Sequence, residues 1–184
     1  MRCNNSTQAT FTYQDLSNPF SEGAFRWVAK GHYTKGDRKG ENCVCKRFKE
    51  GSVCEEGFFD LDIKADDKAI DLARNWNTER FVNKTVMFNR PEVWTFEQKS
   101  NWAGQKAPQE PYITDYQKFN SNSGWSDLET PWHRVMQAVS HYIYHKSGGQ
   151  YVLCDLQGGI YKDGAVMSDP VILSRNRSLH STNC

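Results

Sequence analysis

Apolar and polar residues change rhythm several times along the chain. Within 20–33 a glycine-containing turn, Ser21-Glu22-Gly23-Ala24, lies against an alternating segment, Phe25 to Tyr33, that fits a half-buried strand. A polar, glycine-containing turn over 34–42 then reverses the chain into Cys43-Val44-Cys45-Lys46-Arg47-Phe48, and a hairpin is expected. From Asp60 to Val82 the period lengthens: Ile63, Ile70, Leu72, Ala73, Trp76 and Phe81 fall at helical intervals, which predicts an amphipathic helix packed on the first sheet. Residues 86–88 and 93–96 read as short strands split by Asn89-Arg90-Pro91, and a polar stretch follows to Pro108. Trp132, Val135, Met136, Val139, Tyr142 and Ile143 return at three-to-four spacing, a helix over 131–146 with Thr130 as N-cap and Gly148-Gly149 closing it. That helix delivers the chain into Tyr151-Val152-Leu153-Cys154, an apolar run of the buried-strand kind. Residues 1–19 are polar and read as a leader, with a strand beginning near Phe11-Thr12-Tyr13.

A chain of 184 residues can bury one substantial core or two small lobes. Its formal net charge of +1 gives no reason to expect nucleic acid or an anionic membrane as a partner. No apolar stretch is long enough to insert in a bilayer, and MRCNNSTQAT lacks the apolar segment of a secretory signal, so an intracellular, cytoplasmic chain is expected. The six cysteines then read as reduced thiols. Cys43 and Cys45 would face the same side of a strand, and packing suits them better than metal binding because no second pair completes a site. A secreted, disulfide-stabilised domain is the competing class, and it would show oxidised cysteines.

The chemistry concentrates at the exit of the 151–154 strand. Asp155, Gln157 and Gly158-Gly159 stand there, and Asp169 follows 14 positions after Asp155, just before Pro170. A glycine-containing loop between the two aspartates would fold both carboxylates toward one point. Two carboxylates and a carboxamide are hard oxygen ligands for a magnesium ion that bridges phosphates, with one carboxylate left as a base. Asp-x-Gln-Gly is also a plain strand followed by a turn. At 23–26, small residues would let backbone amides cradle an anion while Arg26 adds a bidentate fork. Lys46 is either a surface lysine on a strand edge or the point charge that holds nucleotide phosphates. Asp66 and Asp67 could pair with it, or form a solvated acidic face. Glu110-Pro111 is the expected boundary between lobes, where main-chain groups can meet a flat base.

Taken together, GAFR at 23–26, VCKRF at 44–48, DLARNWN at 71–77, EPYI at 110–113, KFNSNSGW at 118–125, SHYIYHKSGG at 140–149, and DLQG with SDP at 155–158 and 168–170 resemble the atypical α-kinase family. The resemblance spans about Phe20 to Ser174. It implies an α+β, two-lobed protein-kinase-like fold of the α-kinase type around an ATP cleft, with a β-rich N-terminal lobe over 20–109 and a hinge and mixed lobe over 110–184. It implies a serine/threonine kinase that transfers the γ-phosphoryl group of Mg-ATP to a protein hydroxyl. Lys46 is similar to the family's phosphate-contacting lysine, and Gly23, Ala24 and Arg26 to its phosphate turn. Glu110 resembles the hinge glutamate that meets adenine. Gln157 and Asp169 resemble the magnesium ligands, and Asp155 the carboxylate that orients or deprotonates the acceptor hydroxyl. Removing Lys46 should then abolish transfer.

The departure lies at the C-terminus. The family continues through a glycine-rich segment to an H-x-C-x-x-x-C run that joins a helix histidine around a structural zinc. His141 matches that helix histidine, whereas His180 and Cys184 do not reproduce the run, so the zinc site is expected to be incomplete. The alternative function is a nucleotide-binding regulatory or scaffold module derived from an α-kinase, and ATP turnover separates the two.

Overall fold

The computed structural model describes residues 5–175. In chain order it contains β1 (Ser6–Thr10), α1 (Tyr13–Ser17), β2 (Ser21–Glu22), β3 (Arg26–Gly36), β4 (Asn42–Phe48), α2 (Asp60–Glu79), β5 (Thr85–Phe88), β6 (Glu92–Thr95) and β7 (Lys106–Pro111). There follow β8 (Gln117–Lys118), α3 (Pro131–Lys146), β9 (Tyr151–Cys154), β10 (Gln157–Tyr161), β11 (Gly164–Ser168) and β12 (Val171–Ser174). These elements form two units, each discontinuous in sequence. A β-rich unit comprises 5–60 and Arg90–Tyr112, and a mixed unit comprises Leu61–Asn89 and 113–175. Residues 61–89, expected in the N-terminal lobe, therefore cluster with 113–175, and the expected boundary at 110 falls inside β7.

The β-rich unit is one sheet in the order β1-β3-β4-β7-β6, with β2 also paired to β3. The expected hairpin is its centre: β3 and β4 run antiparallel from Arg26↔Phe48 to His32↔Asn42. In a flat sheet the outermost of these five strands would lie about 19 Å apart, at four inter-strand spacings. Here Gln8 on β1 donates to the Glu97 carboxylate just beyond β6 at 3.3 Å, and the rings of Tyr33 and Trp94 meet at 6.2 Å. The sheet is therefore strongly curled, and its inner face buries Ala29, Cys45 and Ala107 with Leu16 of α1.

The polar start of the chain belongs to this sheet. β1 pairs with β3 through Ala9↔Tyr33 and Thr10↔His32. No strand forms at 11–13, because Thr12 caps a helix: its Oγ1 accepts from the Asp15 amide at 3.1 Å, and the Asp15 carboxylate accepts from the Thr12 amide at 3.1 Å. Arg47 fastens that helix by donating to the Leu16 carbonyl at 2.6 Å while lying over the Trp102 ring at 4.8 Å.

The mixed unit buries α2 and α3 against the sheet β5-β11-β10-β8, in which only β5 and β11 are parallel, with β12-β9 as a separate pair. The apolar face of α2, Ala69, Ile70, Ala73 and Trp76, joins Val86, Phe88, Met136 and Leu153 in this core. The helix expected to pack on the first sheet thus contributes to the core of the other unit. It stops at Glu79, and Arg80 turns out of helical geometry with φ 53°. For α3 the expected bounds hold: Thr130 is the N-cap with Pro131 in the first turn, and Thr130 Oγ1 accepts from the His133 amide at 3.3 Å.

The glycine-containing loop expected between Asp155 and Asp169 is instead an antiparallel hairpin, β10 against β11, paired from Gln157↔Ser168 to Tyr161↔Gly164. Glycine allows this close fit. A Cβ on Gly159 would stand 2.5 Å from the Thr114 carbonyl oxygen and 2.8 Å from Ile113, so the strand passes beneath 113–114 only without a side chain. Among the described residues, no helix is long and apolar enough to cross a membrane.

Candidate phosphotransfer site

On β4 and β7 the register is Val44↔Glu110, so side chains at 44, 46, 108 and 110 share one face of the sheet while those at 45 and 109 take the other. Lys46 and Glu110 meet on the first of these faces as an ion pair, although they are only 7% and 3% exposed. The surface-lysine reading of Lys46 is therefore excluded. A buried ammonium and a buried carboxylate each carry a large desolvation cost, which their mutual attraction offsets when the geometry is good. Glu110, expected at the adenine, directs its carboxylate to the lysine.

The 23–26 turn is closed by the Gly23 amide, which donates to the Arg26 carbonyl at 2.8 Å, so that amide is engaged within the turn. Arg26 is laid over two aromatic rings, 5.0 Å from Phe48 and 5.5 Å from Phe59, a platform that fixes the guanidinium plane. Ala24 lies exposed at the tip of the same turn. Across the sheet's opposite face, burial pushes the Cys43 and Cys45 thiols up to about 12, with the neighbouring Cys45 adding to the effect at Cys43. Both stay protonated and act as packing, as expected.

In the mixed unit two strand exits face each other. β9 and β12 pair through Cys154↔Val171, and β10 and β11 through Gln157↔Ser168. The residues between these pairs, Asp155-Leu156 on one strand and Asp169-Pro170 on the other, are therefore neighbours where the chain passes from one pairing to the next. Both aspartates adopt left-handed backbone conformations, φ 56° at Asp155 and 48° at Asp169. Aspartate tolerates that region better than most residues, yet two such kinks side by side store strain of the kind that accumulates at functional sites. Paired strands thus bring the two residues that carry the carboxylates to neighbouring backbone positions.

The Asp155 carboxylate is held from two sides, with Lys118 Nζ at 2.6 Å from Oδ1 and Gln157 Nε2 donating to Oδ2 at 3.3 Å. Because Gln157 turns its amide nitrogen to Asp155, its carbonyl oxygen is the atom left for a cation. The support beneath comes from Asn120, whose Oδ1 accepts from the Leu156 amide at 2.8 Å. Its own amide donates to Gln137 at 3.2 Å and Ser140 at 3.1 Å on α3. Phe119, fully buried, adds a main-chain bond to the Leu156 carbonyl at 2.9 Å. Lys118 and Asn120 both lie in the KFNSNSGW stretch, which by composition reads as a turn. The signal that could have found them is a lysine and an amide flanking a buried phenylalanine. Asn120→Ala would leave the Leu156 amide unsatisfied, and a loss of about 2 kcal/mol in urea unfolding is expected.

Two further expectations concern charge and metal. Asp66 is buried on α2, so it does not belong to a solvated acidic face. His141 is exposed, and its ring lies 5.7 Å from that of His145 one turn on. Among the described residues no group of three or more His, Cys, Asp or Glu is arranged to hold a metal ion, and His180 and Cys184 lie outside them.

A buried lysine clamped by a glutamate on a curled sheet, and a carboxamide beside two kinked aspartates in a mixed unit, are the components of an α+β, protein-kinase-like domain. The Alpha-kinase family matches residues 21–184, and the chain belongs to that family. It is 26% identical over 173 residues to alpha-protein kinase vwkA of Dictyostelium discoideum, covering 91% of this chain and 27% of that protein. The chain thus spans about a quarter of the length of that relative. The α-kinase domain of myosin heavy chain kinase A superimposes with a TM-score of 0.76 in its AMP complex, at 20% identity, covering 95% of this chain and 80% of that one. Its AMP-PNP complex gives 0.77 at 19% identity, over 96% and 78% of the two chains. An α-kinase of Entamoeba histolytica gives 0.72 at 19% identity, over 90% and 66%.

Proposed function

We propose that this chain is an ATP-dependent protein serine/threonine kinase that transfers the γ-phosphoryl group of Mg-ATP to a protein hydroxyl. Lys46 contacts the nucleotide phosphates, and Glu110 fixes its ammonium in a position it could not hold alone. Arg26, flattened on its aromatic platform beside Gly23 and Ala24, adds a second cationic contact to the phosphates. Gln157 and Asp169 supply carbonyl and carboxylate oxygens to magnesium, whose charge offsets that of the phosphates. Asp155 receives the acceptor hydroxyl as an orienting group or base, with Lys118 and Gln157 holding its carboxylate in place. Phosphoryl transfer demands mainly positioning and charge stabilisation, and these residues provide both.

The observation that carries this reading is the buried Lys46–Glu110 pair. A charged pair withdrawn from water on a sheet face is costly to keep for stability alone. The myosin heavy chain kinase A domain, a fold relative, has been solved with AMP and with AMP-PNP, which supports a nucleotide as the ligand. Zinc is not part of this reading, since His141 and His145 have no third ligand among the described residues.

The test is incubation of the purified chain with γ-labelled ATP, magnesium and a mixture of serine-, threonine- and tyrosine-containing peptides. Label on serine and threonine that disappears on chelating magnesium is expected. ATP binding without label on any peptide would leave a nucleotide-binding module in place of an enzyme, and no ATP binding would overturn the reading altogether.

A further inference from the structure

We infer that Lys30 is a nucleoside-contacting residue: its ammonium, seated on the Tyr112 ring, donates a hydrogen bond to a ring nitrogen of the base or a hydroxyl of the ribose of ATP. This rests on the kinase reading and deepens it, because that reading assigns cations to the phosphates and no side chain to the other end of the nucleotide.

Strand register places Lys30 on the nucleotide face. β3 pairs with β4 through Arg26↔Phe48, Val28↔Lys46 and Lys30↔Val44. Alternate side chains of a strand share a face, so Arg26, Val28 and Lys30 lie on the same side of the sheet as Lys46. Val44 pairs in turn with Glu110, so Lys30, Val44 and Glu110 form one row across β3, β4 and β7. Along β3 that row stands about 7 Å from the row of Val28 and Lys46 and about 13 Å from Arg26. Arg26 and Lys46 take the phosphates, and the base is expected at the Glu110-Pro111 stretch. A cation displaced along the strand in that direction meets the uncharged end of the ligand.

The ammonium is held there. Lys30 Nζ lies 4.2 Å from the centroid of the Tyr112 ring, and the Phe20 ring packs on Tyr112 at 6.0 Å. The Tyr112 amide donates to the Asn42 carbonyl at 3.0 Å, which ties this aromatic pair to the start of β4. Lys46 and Lys49 pair with carboxylates, whereas among the described residues no carboxylate pairs with Lys30. A ring face steadies one side of an ammonium and leaves N–H donors on the other. An ammonium has donors only, so its partner on an uncharged nucleoside is an acceptor.

The experiment crosses a variant with analogues. Affinities of the wild-type and Lys30→Met chains for ATP, 1-, 3- and 7-deaza-ATP and 2′- and 3′-deoxy-ATP are measured by calorimetry with magnesium present. All carry the same triphosphate, so they differ only in contacts with the nucleoside. Lys30→Met keeps the aliphatic stem and is expected to unfold near the wild-type temperature while binding ATP about ten-fold more weakly. The analogue that lacks the acceptor should bind the wild-type chain about ten-fold more weakly than ATP and lose no further affinity in Lys30→Met. No penalty for any analogue in the wild-type chain, equal affinity of the two chains for ATP, or the same penalty from Lys30→Met with every analogue would each overturn the role of Lys30 and leave the kinase reading standing. A wild-type chain that binds no ATP would overturn both.

Discussion

Lys46→Met is expected to abolish label transfer from ATP and, separately, to destabilise the β-rich unit. The two effects have different physical origins. Transfer fails because the phosphates lose a cation that is fixed in place. Stability falls because the Glu110 carboxylate stays buried without the ammonium, and breaking a buried pair from one side typically costs about 3–5 kcal/mol. Against a total stability of about 5–15 kcal/mol, such a loss could unfold part of the population and imitate loss of chemistry. The double variant Lys46→Met with Glu110→Gln separates them. A neutral amide removes the uncompensated charge, so most of the melting temperature should return while transfer stays absent. A drop of about 2–4 °C per kcal/mol makes the single and double variants easy to tell apart by thermal unfolding. Wild-type label incorporation by the folded double variant would remove Lys46 from the mechanism.

Local periodicity made some of this fold legible and hid the rest for identifiable reasons. The β3–β4 hairpin stands out because a polar, glycine-containing turn separates its two strands, and α3 because its buried positions, His133, Met136, Val139 and Ile143, recur at helical spacing behind an ordinary cap, Thr130. β7 is concealed by its composition. Lys106-Ala107-Pro108-Gln109-Glu110-Pro111 has two prolines and three polar side chains, yet it pairs with β4 on one side and β6 on the other. Prolines deny a strand main-chain donors, which argues against a central position, and here tertiary packing overrides that tendency. β10 is concealed by Gly158 and Gly159, which read as a loop although they serve a close strand crossing. α2 shows its amphipathic face plainly in sequence, but nothing local says which core that face enters. The same division holds for the site. Asp155, Gln157 and Asp169 were visible as residue types at a strand exit. The clamp of Glu110 on Lys46 and the support from Lys118 and Asn120 depend on strand register and on contacts between residues far apart in sequence.

The second large effect is expected from Asp155→Asn: a fall of about 10²–10⁴-fold in kcat with the affinity for ATP little changed, as for loss of a positioned base or orienting group. Asparagine is the informative choice because of the backbone. At φ 56° Asp155 sits in a region that asparagine also tolerates, so the kink survives and only the charge is removed. Alanine would add the strain of a left-handed residue, and its effect could not be assigned to the carboxylate. The asparagine carbonyl can still accept from Gln157 Nε2, whereas Lys118 loses its ion-pair partner. Asp169→Asn, at φ 48°, obeys the same backbone logic but should fail differently. Its loss weakens magnesium binding, so raising the magnesium concentration should restore much of the rate, while no amount of magnesium rescues Asp155→Asn. Rate measurements across a magnesium titration therefore assign the two aspartates. If Asp155→Asn kept the wild-type rate, or if magnesium restored it as fully as it restores Asp169→Asn, Asp155 would be a metal ligand or a structural residue and the acceptor hydroxyl would have to be oriented by another group.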